Sequence, residues 1–294
     1  MTGLDLAYIR GQRGSILIMV LWVIALLTMI AGYFSMEARL RGNMGYSAWN
    51  LLRSRIEVES ILNLASLYVA PVDQKENEDK DQFLVADGSR YKVDIDGRQV
   101  EFRLEDERGK VDINKVSQEV LEKILDVVLQ DQGKDTATHL TDAIMDWRDN
   151  DDDRRPGGAE KDYYQSLSPA YKPSNSKFLL LEQLLLVKGM DPRIFWGPLD
   201  WEGPGSKKEG PIWKGGIQDL FTVYNQKGIV LKAAAPAPLL EILDEKDLSD
   251  AGGKGIMRLR TCLYQGCYQI FWEIEKQQNH FFKLLHWQQI SRFD

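Results

Sequence analysis

The densest set of ligand atoms in this chain lies in residues 146–164, DWRDNDDDRRPGGAEKDYY. Closely spaced carboxylates on a loop suit a hard cation such as calcium, which takes about six to eight oxygen ligands at about 2.3–2.6 Å. Asp149, Asp151, Asp153 and Glu160 occupy the first, third, fifth and twelfth places of a calcium-loop count, but Arg154 stands where that loop needs glycine. An ordinary EF-hand is therefore not expected. Asp149, Asp151, Asp153, Glu160 and Asp162 are the candidate calcium ligands. The competing reading is a solvated acidic loop whose charges pair with Arg148, Arg154 and Arg155. Calcium is preferred because ordering so many like charges on a glycine-containing loop is otherwise repulsive.

Other chemistry is sparse. His139, His280 and His286 are widely separated, and no Ser-His-Asp, HExxH or phosphate-loop arrangement occurs, so an enzyme is not expected. The two cysteines, Cys262 and Cys267, lie in alternating sequence on either side of a turn glycine. Opposed positions at the base of a hairpin can meet disulfide geometry, and an oxidising compartment would allow the bond; two unpaired thiols remain the alternative. With 37 basic and 44 acidic side chains the formal charge is -7. That balance argues against nucleic acid as the main partner.

The elements that must position these groups begin with residues 15–34, an apolar run free of charge. About twenty such residues in a helix cross the roughly 30 Å hydrocarbon core of a bilayer. A cleaved secretory signal would carry a shorter apolar core and a small-residue cleavage site; a plain signal anchor and a more specialised anchor both fit the length. Arg10 and Arg13 precede the run, which places the short N-terminus in the cytoplasm and the body beyond the inner membrane. Arg13, Gly14 and Ser15 stand at the junction, and this resembles the leader junction of type IV pilin-like proteins. The resemblance implies that prepilin peptidase cuts between Gly14 and Ser15. Members of that class usually carry glutamate at the fifth mature position, where this chain has Met19. A subunit lacking that carboxylate has no charge to offer a subunit stacked above it, so Met19 is the tip-defining residue that the resemblance implies.

Helical periodicity continues past the span through Met36, Leu40, Trp49, Leu52, Ile56, Ile61, Leu64 and Leu67, with Gly42 and Gly45 weakening the middle. After a polar stretch at 73–82, residues 91–104 alternate around Asp96-Gly97, a hairpin signal. From Val116 the pattern becomes helical, with Asn114 or Ser117 as N-cap, and further helices are expected at 138–147 and 178–187. Residues 109–125 faintly repeat in 228–243, each a glycine turn, a short strand and a helix. With residues 184–190 this is similar to degenerate helix-hairpin-helix modules, some of which hold DNA. Strands are expected again at 217–224, 228–231, 256–263, 268–274 and 281–287.

The acidic block with its Pro156-Gly157-Gly158 turn, the residues 109–114 before the first inserted helix, the turn at 185–190 and the closing FFKLLHWQ at 281–288 occur in one order. Together with the leader junction they resemble the general secretion pathway protein K family, the large minor pseudopilins of type II secretion. The resemblance implies an α+β, type IV pilin-like fold: a long N-terminal helix on an antiparallel sheet, with a large inserted helical domain. The division expected is a leader at 1–14, a transmembrane half-helix at 15–34, body at 35–108, helical insertion at 109–213 and body again at 214–294. It implies a structural role at the tip of the pseudopilus, supporting export of folded proteins across the outer membrane. The implied partners are the other minor pseudopilins, the major pseudopilin, prepilin peptidase and the inner-membrane assembly platform. The alternative is a pilin-like DNA-binding protein of a competence or type IV pilus system.

Overall fold

The computed structural model describes residues 12–70, 83–129, 134–197, 215–225, 227–251, 255–263, 266–274 and 282–291. Most of the expected leader and the polar stretch at 73–82 lie outside these residues. Two compact units are present, Met1–Ile56 and Glu57–Asp294.

The first unit is helical. Helix α1, Gln12–Tyr68, runs without a break through Gly42 and Gly45. Those glycines lower helix propensity by about 1 kcal/mol each relative to alanine, which does not end a helix of this length. The helix is apolar enough over 18 residues, with mean hydropathy 2.5, to cross a membrane. Met19 is exposed on it, as are Trp22, Met29 and Phe34.

The second unit begins within the same helix. Val58, Ile61, Leu62 and Ala65 are its buried stripe, spaced three and four residues apart. The expected stripe differs: of its members only Ile61 is fully buried, while Met36, Leu40, Trp49, Leu52, Ile56 and Leu67 are exposed. The buried stripe includes Ala65, a small residue that lets the helix approach closely and that a count of large apolar residues passes over.

Strands β1 (Val69–Ala70) and β2 (Leu84–Val85) pair in parallel. β3 (Asp87–Ile95) and β4 (Arg98–Asp106) form the expected hairpin. Asp96 and Gly97 both have positive φ, 52° and 78°, as a two-residue primed turn requires. After the helical region, β9 (Ile256–Leu263), β10 (Gly266–Ile274) and β11 (Phe282–Ser291) complete a five-stranded antiparallel sheet ordered β11-β10-β9-β4-β3. Val100, Phe102, Leu104, Leu259, Ile270 and Trp272 point one face of it into the core with the helical stripe.

Between β4 and β9 stands a second core. Its elements are β5 (Val111–Asp112), α2 (Gln118–Val128), α3 (Lys134–Arg148), α4 (Lys161–Gln165), α5 (Pro192–Trp196), β6 (Phe221–Thr222), β7 (Val230–Leu231), α6 (Ala237–Ile242) and β8 (Leu248–Ser249). Ser117 caps α2 by accepting from the Val120 N–H, whereas Asn114 exchanges two hydrogen bonds with the backbone of Phe178. The helix expected at 178–187 is a 3-10 turn, Leu181–Leu186, stopped before Gly189 at φ 82°.

The expected boundary at 213 is displaced. Ile217, Leu220, Phe221, Val230, Leu239 and Leu243 join the helical core rather than the sheet. The cause is pairing: β6 lies parallel to β5, Val111 opposite Phe221, and β7 lies parallel to β8. Short strands cannot be assigned to a sheet from alternation alone. The faint repeat is real in this sense, since β5 with α2 and β7 with α6 are both strand-then-helix units. They meet where a Cβ on Gly109 would lie 2.2 Å from the Ala234 carbonyl oxygen.

Candidate functional site

Helix α3 ends at Arg148, whose guanidinium leaves the acidic residues beside it and donates instead to the carbonyls of Ile113 and Val116, the latter at 2.6 Å. The chain then turns back on the helix. Asp142 and Asp146, one helical turn apart on α3, receive it: Asp142 Oδ2 accepts from the Gly157 N–H at 3.0 Å, and Asp146 accepts from the Arg155 N–H at 3.2 Å. The approach is close enough to need glycine. A Cβ on Gly157 would meet His139 at 2.5 Å, and one on Gly158 would meet Asp146 Oδ2 at 1.9 Å. From the other side Lys188 Nζ donates to the carbonyls of Gly157 and Gly158 at 3.2 and 3.0 Å, and lies 5.2 Å from the Tyr163 ring centre. The Pro-Gly-Gly turn is thus clamped between α3 and the turn that holds Lys188.

This clamp brings Asp149, Asp151 and Glu160 together, with one carboxylate oxygen from each lying within 4.8 Å of the others. Arg155 Nη1 bridges Asp146 Oδ1 and Asp149 Oδ2, both at 2.6 Å. That leaves Asp149 Oδ1 buried without a partner, and both oxygens of Glu160 likewise. Glu160 is only 6% exposed. Burial first, then the charges of Asp146, Asp149, Asp152 and Asp151, push its carboxyl up to about 7. Asp146 is also raised, by burial, against the opposing hydrogen bonds from Arg155.

Of the five carboxylates expected from sequence, these three converge and two do not. Asp153 is exposed, and its N–H donates to Asp151 Oδ1, a turn that carries the chain outward. Asp162 is exposed in the first turn of α4, past the point where Glu160 has entered the core. The expected charge pairing is likewise partial: Arg155 supplies it, Arg148 does not, and Arg154 is exposed.

The donor set fits a calcium ion. Oxygens within 4.8 Å of one another can share one such ion, whose opposite ligands lie about 4.6–5.2 Å apart. The buried acceptors without donors are what a bound cation satisfies. Asp149, Asp151 and Glu160 would hold it, and it would supply charge neutralisation and order to the loop.

Sequence reasoning missed Asp142, Asp146 and Lys188 as the clamp. The i, i+4 spacing of the aspartates ahead of a Gly-Gly turn was the available signal.

Elsewhere, Cys262 on β9 faces Cys267 on β10 and the two are disulfide-bonded. A second charged cluster joins the sheet to the helical core. Glu107 accepts from Arg258 Nε at 2.7 Å, Lys110 Nζ at 2.9 Å and Thr222 Oγ1 at 2.5 Å. Glu105 accepts from Lys110 at 2.5 Å and from Arg260, which also pairs with Asp219 at 2.6 Å.

Residues 96–196 match the family model described as type II secretion system (T2SS), protein K. The segment runs from the β3–β4 turn to the end of α5 and contains the whole acidic loop. Type II secretion system protein K of Klebsiella pneumoniae is 28% identical over an alignment 199 residues long that covers 63% of this chain and 60% of that protein. The protein of the same name from Aeromonas hydrophila is 40% identical over 60 residues, 20% of this chain and 18% of that one. Among solved structures, the GspK-GspI-GspJ complex of the enterotoxigenic Escherichia coli type 2 secretion system aligns with a TM-score of 0.47 at 15% identity, covering 86% of this chain and 100% of that one.

Proposed function

We propose, for a chain that carries the type II secretion system protein K family domain at residues 96–196, that it is a minor pseudopilin at the tip of the pseudopilus. It initiates or caps assembly there and supports export of folded proteins across the outer membrane. The observation that carries this reading is the position of the matched segment. It joins a sheet backed by the end of an N-terminal helix to a helical domain built between β4 and β9.

In this reading α1 is a single-pass inner-membrane anchor, with the body in the periplasm. Prepilin peptidase removes the leader between Gly14 and Ser15, and the inner-membrane platform passes the helix into the filament. Met19 offers no carboxylate to a subunit above, which suits a terminal place. Calcium on Asp149, Asp151 and Glu160 orders the loop of the helical domain. The role is that of a secretion-system component rather than an enzyme, and the DNA-binding alternative is not favoured.

Co-expression of the full chain with the other minor pseudopilins, followed by affinity purification in detergent, tests this. A stoichiometric complex is expected, and its absence from membranes that contain all the subunits would contradict the assignment. At the N-terminus, Gly14→Ala is expected to abolish leader removal while Met19→Glu leaves insertion and removal intact, both read by mass spectrometry of the purified chain. Normal processing of Gly14→Ala would sink the pilin reading of this junction.

A further inference from the structure

The two edges of the five-stranded sheet differ. At one, β3 carries Asp87, Arg90, Lys92 and Asp94, and its ladder with β4 shifts register between Asp87 and Arg90, beside Gly88 at φ 87°. Charged side chains and a bulge are what keep a sheet edge from pairing with another chain. At the other edge, β11 has ten residues, no proline and one side chain of fixed charge, Lys283 at its second position. Over residues 286–291 its ladder with β10 is regular, the register shift falling ahead of them, opposite Phe271 and Trp272. Among the described strands none pairs with the outer side of β11. This stretch is therefore an edge without the devices that β3 shows.

The stretch is also complementary to itself. Antiparallel pairing of two copies about Gln288 sets that residue opposite the partner's Gln288, His286 opposite the partner's Ile290, and Trp287 opposite the partner's Gln289. Both members of each pair lie on one face of the joined sheet, because side chains alternate along a strand. No like charges meet, since Lys283 falls outside this register. Gln288 Oε1 is buried without a hydrogen-bond partner. Two primary amides facing each other across a two-fold axis can exchange N–H···O bonds, each oxygen accepting from the other's Nε2. The pairing gives that oxygen the donor it lacks.

We propose that the β11 edge is a homodimer interface, in which two copies of this chain pair antiparallel about Gln288 and join their sheets edge to edge. The main-chain ladder supplies the attraction and the glutamine pair at the axis fixes the register.

Sedimentation of the full chain in detergent and oxidative cross-linking of cysteine variants test it. The wild type is expected to form a concentration-dependent dimer of twice the single-chain mass. Gln288→Lys sets two ammonium groups against each other at the axis and should shift the chain to the monomer with its circular dichroism unchanged. Gln288→Cys should give a disulfide-linked dimer on a non-reducing gel, because directly opposed residues have Cβ atoms about 4.5–5.5 Å apart. Lys283→Cys should give none, since the two copies of that residue would lie about 30 Å apart along the strands. A wild type that stays monomeric at every concentration overturns the proposal. So does a dimer that persists in Gln288→Lys, which another surface such as α1 must then hold, and so does cross-linking at position 283 in place of 288.

Discussion

Glu107 and Glu160 are both buried carboxylates, 1% and 6% exposed, yet their surroundings shift them in opposite directions. Burial raises each, but at Glu107 the charges of Arg258 and Lys110 prevail and hold it below the ordinary value. At Glu160 the neighbouring charges are other carboxylates, and it rises to about 7. The junction between sheet and helical core carries its own cations, drawn from β9 and from the segment after β4. The acidic loop carries Arg155, already committed to Asp146 and Asp149. A carboxylate cluster is thus completed from within in one place and keeps buried oxygens without a partner, on Asp149 and Glu160, in the other.

The largest effect is expected where the internal cations lose one of their two carboxylates. Glu107→Gln takes from Arg258 its 2.7 Å carboxylate and leaves Arg258 and Lys110 to share Glu105, and chemical denaturation of the full chain should show a loss of about 3–5 kcal/mol. A loss under about 1 kcal/mol would mean that the junction is not held by charge.

Acid titration comes next. Glu105 is also held below its ordinary 4.5, where burial is outweighed by Arg260, Lys110 and Arg258. Below 4.5 the unfolded chain therefore binds more protons than the folded one at these two sites. Their stabilisation is present above that pH and lost as pH falls through the folded values. Unfolding midpoints measured from pH 6 to about 3 should fall less steeply in Glu107→Gln than in the wild type. Equal slopes would contradict the pairing. Smallest of all, Arg154→Ala should change stability by no more than about 0.5 kcal/mol, since this arginine of the acidic loop is exposed. A larger loss would show that the loop draws more internal charge than Arg155 provides.

The two regions were not equally legible in the sequence. The hairpin at Asp96-Gly97, the helix after Ser117 and the aromatic strands at the C-terminus rest on local patterns, and each appears within a few residues of its expected place. The convergence of Asp149, Asp151 and Glu160 was visible in part, because those residues are close in sequence. What excluded Asp153 and Asp162 was the path of the loop, set by Gly157, Gly158 and the aspartates of α3. The junction was not visible at all. Arg258 lies 151 residues from Glu107, and a charged residue in an alternating strand reads as solvent-facing until its partner is placed. The same long-range pairing put 217–243 in the helical core, through two-residue strands too short to carry a pattern of their own.

Calorimetric titration of the full chain with calcium chloride, alongside Glu160→Gln, tests the central difference most directly. The wild type should bind and gain about 2.7 kcal/mol of stability at calcium one hundredfold above its dissociation constant, while Glu160→Gln binds weakly or not at all. No heat of binding and no stabilisation in the wild type would show that the loop, like the junction, satisfies its carboxylates without an ion.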